Sequence, residues 1–361
     1  MKRVAIIGSV GVPANYGGFE SLVENLIDNY SEERVQYTVF CSSTAYSTKL
    51  KTYKNATLKY LPLRANGFQS ILYDIISLLW ATYVSDVILI LGVSGGCFLP
   101  IYRLLFPSKC LLINIDGLEY RRNRWGSLAK RFLKFSERMA VKYADKIIAD
   151  NKGIQDYVLE EYGRQSELVA YGGDHAIQEQ PSKEEEKQVL AKYNLKSNDY
   201  AISVCRIEPE NNCHIILKSF AQTKMQMVFI GNWNRNKYGR ALKNKYQDYS
   251  NILLLDPIYD IQTLYVLRAN TSLYVHGHSA GGTNPSLVEA MFFGVPIAAY
   301  DVVYNRETTH NKAFFFGNEN ELKTIVNDRN LDFVGNTQVM KSLAYKYYTW
   351  RKIAESYELL Y

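Results

Sequence analysis

The sequence predicts an α/β protein made of two Rossmann-like halves in succession, with a cleft between their strand ends. Short apolar runs such as Val87-Ile88-Leu89-Ile90-Leu91 and Met227-Val228-Phe229-Ile230 alternate with stretches of helical spacing along the whole chain. Many of these runs end in Gly or Asp, where the strands of an open parallel sheet meet ligands. A polar, charge-rich stretch near Gln178 to Lys187 separates the halves, and 361 residues are enough for two ordinary domains.

Composition narrows the class. The chain is mildly basic, with a net charge of +6, and its apolar content is that of a globular enzyme rather than a disordered or fibrous chain. Cys41, Cys97, Cys110, Cys205 and Cys213 are odd in number and form no CxxC pair, which argues for a reducing cytosol and against a structural zinc. The opening Met1-Lys2-Arg3 leads straight into an apolar strand, too short for a signal-peptide core. The longest apolar region, Ile71 to Phe106, is broken by Asp74, Asp86, a glycine cluster and Pro100. It reads as helix, strand, loop and helix, not as a membrane span.

In the first half, the strand Val4 to Gly8 enters a long loop, Ser9 to Gly18, and a helix follows from about Phe19 to Tyr30 with Leu22, Val23, Leu26 and Ile27 on one face. The loop does not have GxGxxG spacing, which disfavours a dehydrogenase. Gly17 and Gly18 beside a helix start still let backbone approach a phosphate or a sugar. Strands at Tyr37–Phe40 and Leu58–Leu61, a helix at Ile71–Tyr83 and a buried strand at Val87–Leu91 come next. The strand Leu111–Ile115 ends at Asp116-Gly117-Leu118-Glu119. Asp116 and Glu119 read either as site carboxylates or as a turn Asp and an exposed loop Glu. Beyond Trp125 a helix to Tyr143 carries Lys130, Arg131, Lys134, Arg138 and Lys142 among Leu128, Phe132 and Phe135. The basic 121–142 segment is either a solvated helix face or a contact for an anionic membrane or a lipid pyrophosphate. No nucleic-acid motif accompanies it.

In the second half, the strand Tyr200–Cys205 is followed at once by Arg206, which reads as a phosphate-binding cation or as a surface partner of Glu208 or Glu210. Strands at Met227–Gly231 and Ile252–Leu255 follow, the latter leading to Ile258 and Tyr259. The stretch Leu273 to Pro296 is the most informative. A strand, Leu273-Tyr274-Val275, opens into the loop His276 to Pro285, and a helix runs over Ser286–Phe293. Asn284 or Ser286 can cap this helix, Pro285 suits its first turn and Gly294 can end it. Backbone N–H groups near Gly281, Gly282 and Thr283, together with the helix dipole, form an anion seat. Glu289, one turn inside, is a candidate acceptor for sugar hydroxyls. His278 reads as a structural loop histidine or as a hydrogen-bonding substitute near the substrate, alongside Thr283 and Asn284.

These residues carry a resemblance. Pro13-Ala14-Asn15-Tyr16-Gly17-Gly18-Phe19-Glu20, Asp116-Gly117-Leu118-Glu119 and the run His276 to Ser286 resemble the retaining GT-B glycosyltransferases of family four, in particular a bacterial subgroup of rhamnosyltransferases of capsule and cell-wall polysaccharide synthesis. The resemblance implies an acceptor-binding domain over residues 1–172, a nucleotide-sugar domain over 173–343, and a tail helix over 344–361 that crosses back to the first domain. By the same resemblance Glu289 binds the donor ribose and Arg206 the pyrophosphate. Gly17 and Gly18 approach the diphosphate and transferred sugar, and Ile258 and Tyr259 meet the base.

Three positions depart from the family pattern. The usual first Glu, eight positions before Glu289, is Gly281; the lysine that follows the arginine is Asn211; and Asp116 replaces a histidine near the reacting sugar. The resemblance implies transfer with retention, of L-rhamnose from a dTDP- or UDP-linked donor to a lipid-linked saccharide. No DxD-type carboxylate pair stands at a strand end, so no essential metal is expected, nor a further cofactor; the expected location is the cytoplasm, with peripheral contact at the inner membrane face as an option. Asp116, Arg206 and His278 are the expected catalytic residues. Rival readings are a nucleotide-sugar epimerase on the same scaffold and a catalytically inactive nucleotide-sugar binder. Glu289→Ala is expected to harm nucleotide binding far more than the fold.

Overall fold

The computed structural model describes residues 1–14, 17–115, 117–121, 125–177 and 180–361. The chain divides into two compact units, Met1–Tyr171 with Trp350–Tyr361, and Gly172–Thr349.

The first unit runs β1 (Lys2–Ile7), α1 (Gly18–Asn29), β2 (Val35–Ser42), β3 (Thr52–Tyr53), β4 (Ala56–Leu61), α2 (Gln69–Val84), β5 (Val87–Leu91), α3 (Leu99–Leu105), β6 (Cys110–Asn114), α4 (Ser127–Tyr143), β7 (Lys146–Ala149), α5 (Lys152–Tyr162) and β8 (Glu167–Leu168). The sheet order is β3-β4-β2-β1-β5-β6-β7-β8. All neighbours are parallel except β3 and β4. A parallel sheet covered on both faces buries whole strands, which is why β5 is apolar at every position and buried throughout. The order reverses at β1, which pairs with β2 on one side and β5 on the other. The loops after β1 and β5 therefore open next to each other at the carboxyl edge.

The second unit runs α6 (Lys183–Lys192), β9 (Tyr200–Val204), α7 (Cys213–Phe220), β10 (Gln226–Ile230), α8 (Lys237–Tyr246), β11 (Ile252–Leu255), α9 (Ile261–Ala269), β12 (Leu273–His276), α10 (Pro285–Phe293), β13 (Ile297–Tyr300), α11 (Val303–Thr308), β14 (Phe314–Phe316), α12 (Glu319–Asn327) and α13 (Phe333–Tyr347). Its sheet is parallel, in the order β11-β10-β9-β12-β13-β14, with a core that includes Ile216, Phe229, Trp233 and Val275. Here the order reverses between β9 and β12. Tyr348 closes this unit: it is buried, its hydroxyl donates to the Thr308 carbonyl (2.9 Å) and its carbonyl accepts from Gly173 N (3.0 Å).

The chain then returns to the first unit as α14 (Trp350–Glu358). Trp350, Ile353, Ala354 and Tyr357 are buried in the same core as Leu22 and Leu26 of α1. Asn114 Nδ2 donates to Tyr357 Oη (2.8 Å), Ser31 N to Glu358 Oε1 (2.7 Å) and Lys146 Nζ to the Leu360 carbonyl (2.8 Å). The predicted α/β class with two Rossmann-like sheets and a returning helix is the observed one. The returning element begins at Trp350, so residues 344–349 belong to the second unit.

Candidate functional site

In the second unit, β9 and β12 are paired in parallel, Leu273 against Ala201 and Tyr274 against Ile202. Arg206 follows β9 and the glycine loop follows β12, so both leave the carboxyl edge at the switch point, where open α/β sheets bind ligands. The loop is strapped down from below. Asn212 Nδ2 donates to the Gly277 carbonyl (2.9 Å), and Ser279 donates to the Glu210 carbonyl from both its amide and its hydroxyl (2.8 Å each). A Cβ at Gly277 would run into the Asn211 carbonyl, so only glycine fits that crossing.

Asn211, at the position where the resemblance leads one to expect a lysine, is buried and structural. Its Nδ2 donates to the Arg206 carbonyl (2.7 Å), which turns Oδ1 toward His278 Nδ1 at 2.6 Å. Nδ1 therefore carries the proton, an assignment made from this network. Asn305 Nδ2 donates to the His278 carbonyl (2.8 Å), fixing the other side of the residue. Burial, with His278 beside it, pushes the His276 imidazole well below its usual range, so that ring is neutral. The sequence does not single out Asn305 or Gly277 and offers Asn211 only as a missing lysine, because their roles depend on which loops meet.

Beyond His278, Gly281 has φ +92°, a conformation that favours glycine, and the amides of Gly281 and Gly282 donate to no acceptor among the described residues. Thr283 is buried. Asn284 is the N-cap of α10, accepting from Ser286 N (3.1 Å) and from Ser286 Oγ (2.8 Å); Pro285 is the first helical residue and Gly294 ends the helix in the left-handed region. Ile258 and Tyr259 lie in the segment between β11 and α9, with Tyr259 exposed. The Arg206 guanidinium is 3.9 Å from Glu208 and about one-third exposed, at 32%. That is the loose surface pair the sequence left as its alternative role.

Glu289 is more committed than its sequence context indicates. Arg268 Nη1 lies 2.7 Å from its Oε2 and His175 Nε2 lies 3.4 Å from its Oε1, and the Arg268 and Glu289 side chains are only 8% and 15% exposed. Burial pushes the Glu289 carboxyl up. The Arg268 guanidinium, with His175 beside it, outweighs that and holds it near about 2. Arg268 comes from the last turn of α9, and His175 from a short 3₁₀ turn just after Gly173. A Cβ on Gly173 would sit 2.9 Å from Glu289 N, so the 3₁₀ turn reaches α10 only because residue 173 is glycine. Neither partner was legible in the sequence, since nothing local links them to Glu289.

In the first unit, Gly17 precedes α1 with φ +139°, and a Cβ there would collide with Glu20 Oε2. Glu20, unread in the sequence, is buried and accepts from Val10 N (2.8 Å), so it shapes the loop from inside. Gly18 is open: the nearest atom to an added Cβ is Tyr171 Oη at 3.8 Å. Glu119 accepts from Trp125 Nε1 (2.8 Å). Asp116, with Asn15 and Tyr16 of the N-terminal motif and 122–124 of the basic segment, lies outside the described residues.

Comparison with known proteins follows the same division. Residues 1–174 match a domain of unknown function (DUF1972) and residues 182–331 match Glycosyl transferases group 1. No curated protein matches the sequence. Among solved structures, the chain is similar to sucrose-phosphate synthase from Thermosynechococcus elongatus (TM-score 0.82, 16% identity, 100% of this chain and 98% of that one). It is also similar to HepE of Anabaena in complex with UDP (0.76, 14%, 98% of each chain). A third likeness is to the catalytic domain of starch synthase IV from Arabidopsis thaliana (0.75, 12%, 99% and 98%). At these identities the likeness establishes the fold, which is GT-B, and the group 1 glycosyl transferase match falls within the second unit.

Proposed function

We propose that this GT-B protein is a glycosyltransferase that draws its donor, a nucleoside-diphosphate sugar, into the second unit and transfers the sugar to a saccharide acceptor. One arrangement carries the reading: Arg206 and the Gly281–Glu289 segment leave the neighbouring strands β9 and β12 at the same edge. The amides of Gly281 and Gly282, unbonded among the described residues, and the N-terminus of α10 suit a diphosphate. Arg206 adds a charge-assisted contact of roughly 1.5–3 kcal/mol that also stabilises the leaving group. Glu289, held ionised, is an acceptor for ribose hydroxyls, and exposed Tyr259 with Ile258 flanks the base. HepE has been crystallised with UDP and UDP-glucose, and starch synthase IV with ADP and acarbose, which supports a nucleotide-sugar ligand on the shared fold.

In the finer reading the donor is dTDP-L-rhamnose and the acceptor a lipid-linked saccharide at the inner membrane face. Gly281 supports a deoxysugar, since it offers no carboxylate to a sugar hydroxyl. The acceptor oxygen bonds to the anomeric carbon as the bond to the diphosphate breaks, with retention. The acceptor proton passes to the leaving phosphate, so no protein base, metal or cofactor is required. Asp116 holds the acceptor hydroxyl and His278 orders the sugar-facing loop.

A thermal-shift screen against dTDP-, UDP-, GDP- and ADP-sugars with their free nucleotides tests this, because a bound ligand raises the unfolding midpoint by mass action. We expect stabilisation by dTDP-rhamnose and dTDP that is lost in Arg206→Ala. Stabilisation by none of them removes the proposal. Product formed without acceptor would identify an epimerase, and binding without turnover an inactive binder.

A further inference from the structure

Helix α2 is apolar on the side it shows to solvent. Leu72, Ile76, Trp80 and Tyr83 follow at helical spacing and are all exposed, while the one ionisable side chain besides the tyrosines, Asp74, points inward and is buried. The next helix repeats the pattern: Ile101, Leu104 and Leu105 of α3 are exposed, Leu104 at 84%. Its single charge, Arg103, is folded back onto the carbonyls of Tyr143 (2.8 Å) and Lys109 (2.6 Å). The helices are joined side by side, Thr82 Oγ1 to Tyr102 Oη at 2.7 Å and the Tyr83 and Phe106 rings at 6.2 Å. Monomeric soluble proteins rarely expose contiguous apolar area of this kind without using it.

Helix α4 packs on α3 and carries the opposite chemistry. A groove of about 990 Å³ along it is lined by Lys130, Arg131, Arg138 and Lys142, none of which pairs with a carboxylate among the described residues. The only acid on α4, Glu137, is buried and accepts from Tyr157 and Tyr162 (2.6 and 2.5 Å). Phe135 lies in the same groove and is itself exposed. Unpaired cations packed along one helix repel one another unless a polyanion covers them.

We propose that the outward face of α2 and α3, with the basic groove of α4 beside it, docks on an anionic lipid bilayer, lying in the interface without crossing it. Of the possible occupants, only a bilayer supplies both halves of the surface: acyl chains for Leu104 and Tyr83, and phosphate headgroups for the cations. A second copy of this face would offer the cations no anion, since Asp74 and Glu137 are buried and α3 carries no acid. Among the described residues no helix is long and apolar enough to span a membrane. The surface belongs to the first unit and stands independently of the donor chemistry proposed for the second, although a lipid-linked acceptor would be delivered to it.

Flotation of the full chain with vesicles tests this, using equal parts phosphatidylglycerol and phosphatidylcholine, or phosphatidylcholine alone, at low and high salt. The wild type is expected to float with the anionic vesicles at low salt. Tyr83→Glu with Leu104→Glu, both at exposed positions, should abolish flotation on either vesicle. Arg131→Ala with Arg138→Ala should weaken binding to anionic vesicles by about thirtyfold, as for two basic residues near a charged surface, and reduce its salt dependence. An unchanged unfolding midpoint in each variant shows that the fold is intact, and a nucleotide thermal shift reports the second unit separately. The proposal is overturned if the wild type stays unbound on anionic vesicles at low salt, or if the Tyr83/Leu104 variant floats like wild type. It is also overturned if light scattering finds a dimer that Leu104→Glu dissolves, which would give this face to a second copy.

Discussion

At the scale of single residues, the pairing of Glu289 with Arg268 revises what a substitution there will do. Truncating Glu289 leaves a buried guanidinium whose Nε already lacks a partner among the described residues, at a cost of about 3 kcal/mol. We therefore expect Glu289→Ala to lose stability as well as nucleotide affinity, contrary to the expectation from sequence. Adding Arg268→Leu should restore much of the stability but none of the affinity, read by urea unfolding and by calorimetric titration with nucleotide. If affinity returns with stability, Glu289 does not touch the ligand. The low pKa of Glu289 sets a sign as well: its contribution is present above the ordinary carboxylate range and fades as pH falls toward about 2. Asp74 works the other way. Burial raises its carboxyl to about 8, against one hydrogen bond from Gly95 N (3.0 Å) that pulls it down, so the folded chain holds a proton the unfolded chain releases. Its contribution is complete below about pH 4 and is lost as pH rises through about 8. Asp74→Asn should flatten this decline in urea unfolding; a variant with the same pH slope as wild type would show that Asp74 is ionised in the fold.

At the scale of elements, local signals were readable and tertiary ones were not. The cap Asn284, the first-turn Pro285 and the terminating Gly294 of α10 were all legible, because each acts on residues within one turn. The strand β5 was readable from five consecutive apolar residues. What His175 and Arg268 do was hidden, since they reach α10 from other elements, and Asn211 looked like a missing cation when it is a strut under His278. The abundance of tyrosine, mute in the sequence, has a partial account: Tyr73, Tyr200 and Tyr348 are buried with hydroxyls that donate to distant carbonyls. The loop before α1 separates two roles of adjacent glycines. Gly17→Ala meets both a positive φ and Glu20, so it should cost about 1–3 kcal/mol in thermal unfolding. Gly18→Ala has room, so it should keep wild-type stability yet lower turnover if this loop approaches the sugar. Full activity in Gly18→Ala would remove the loop from the site.

At the scale of the molecule, the chain builds its first unit from both ends. The strands β1 and β2 are complete early in the sequence, yet the core they share with α1 is closed by Trp350, Ile353 and Tyr357, more than three hundred residues later. Closing so distant a contact costs loop entropy set by the whole intervening segment, and loss of α14 is expected to open the first unit, whose core it completes. Trp350→Ala removes a fully buried indole in edge contact with Tyr171 (6.4 Å) and should cost roughly 3–5 kcal/mol. Hydrogen exchange read peptide by peptide locates that cost. We expect faster exchange in β1, β2 and β5 and unchanged protection in β9, β10 and β12, because Trp350 packs in the core around β1 and α1 and not in the core around β9, β10 and β12. Equal loss of protection in both sheets would mean that the two cores unfold as one cooperative block, and the division of labour between them would then have to be argued without independent stability.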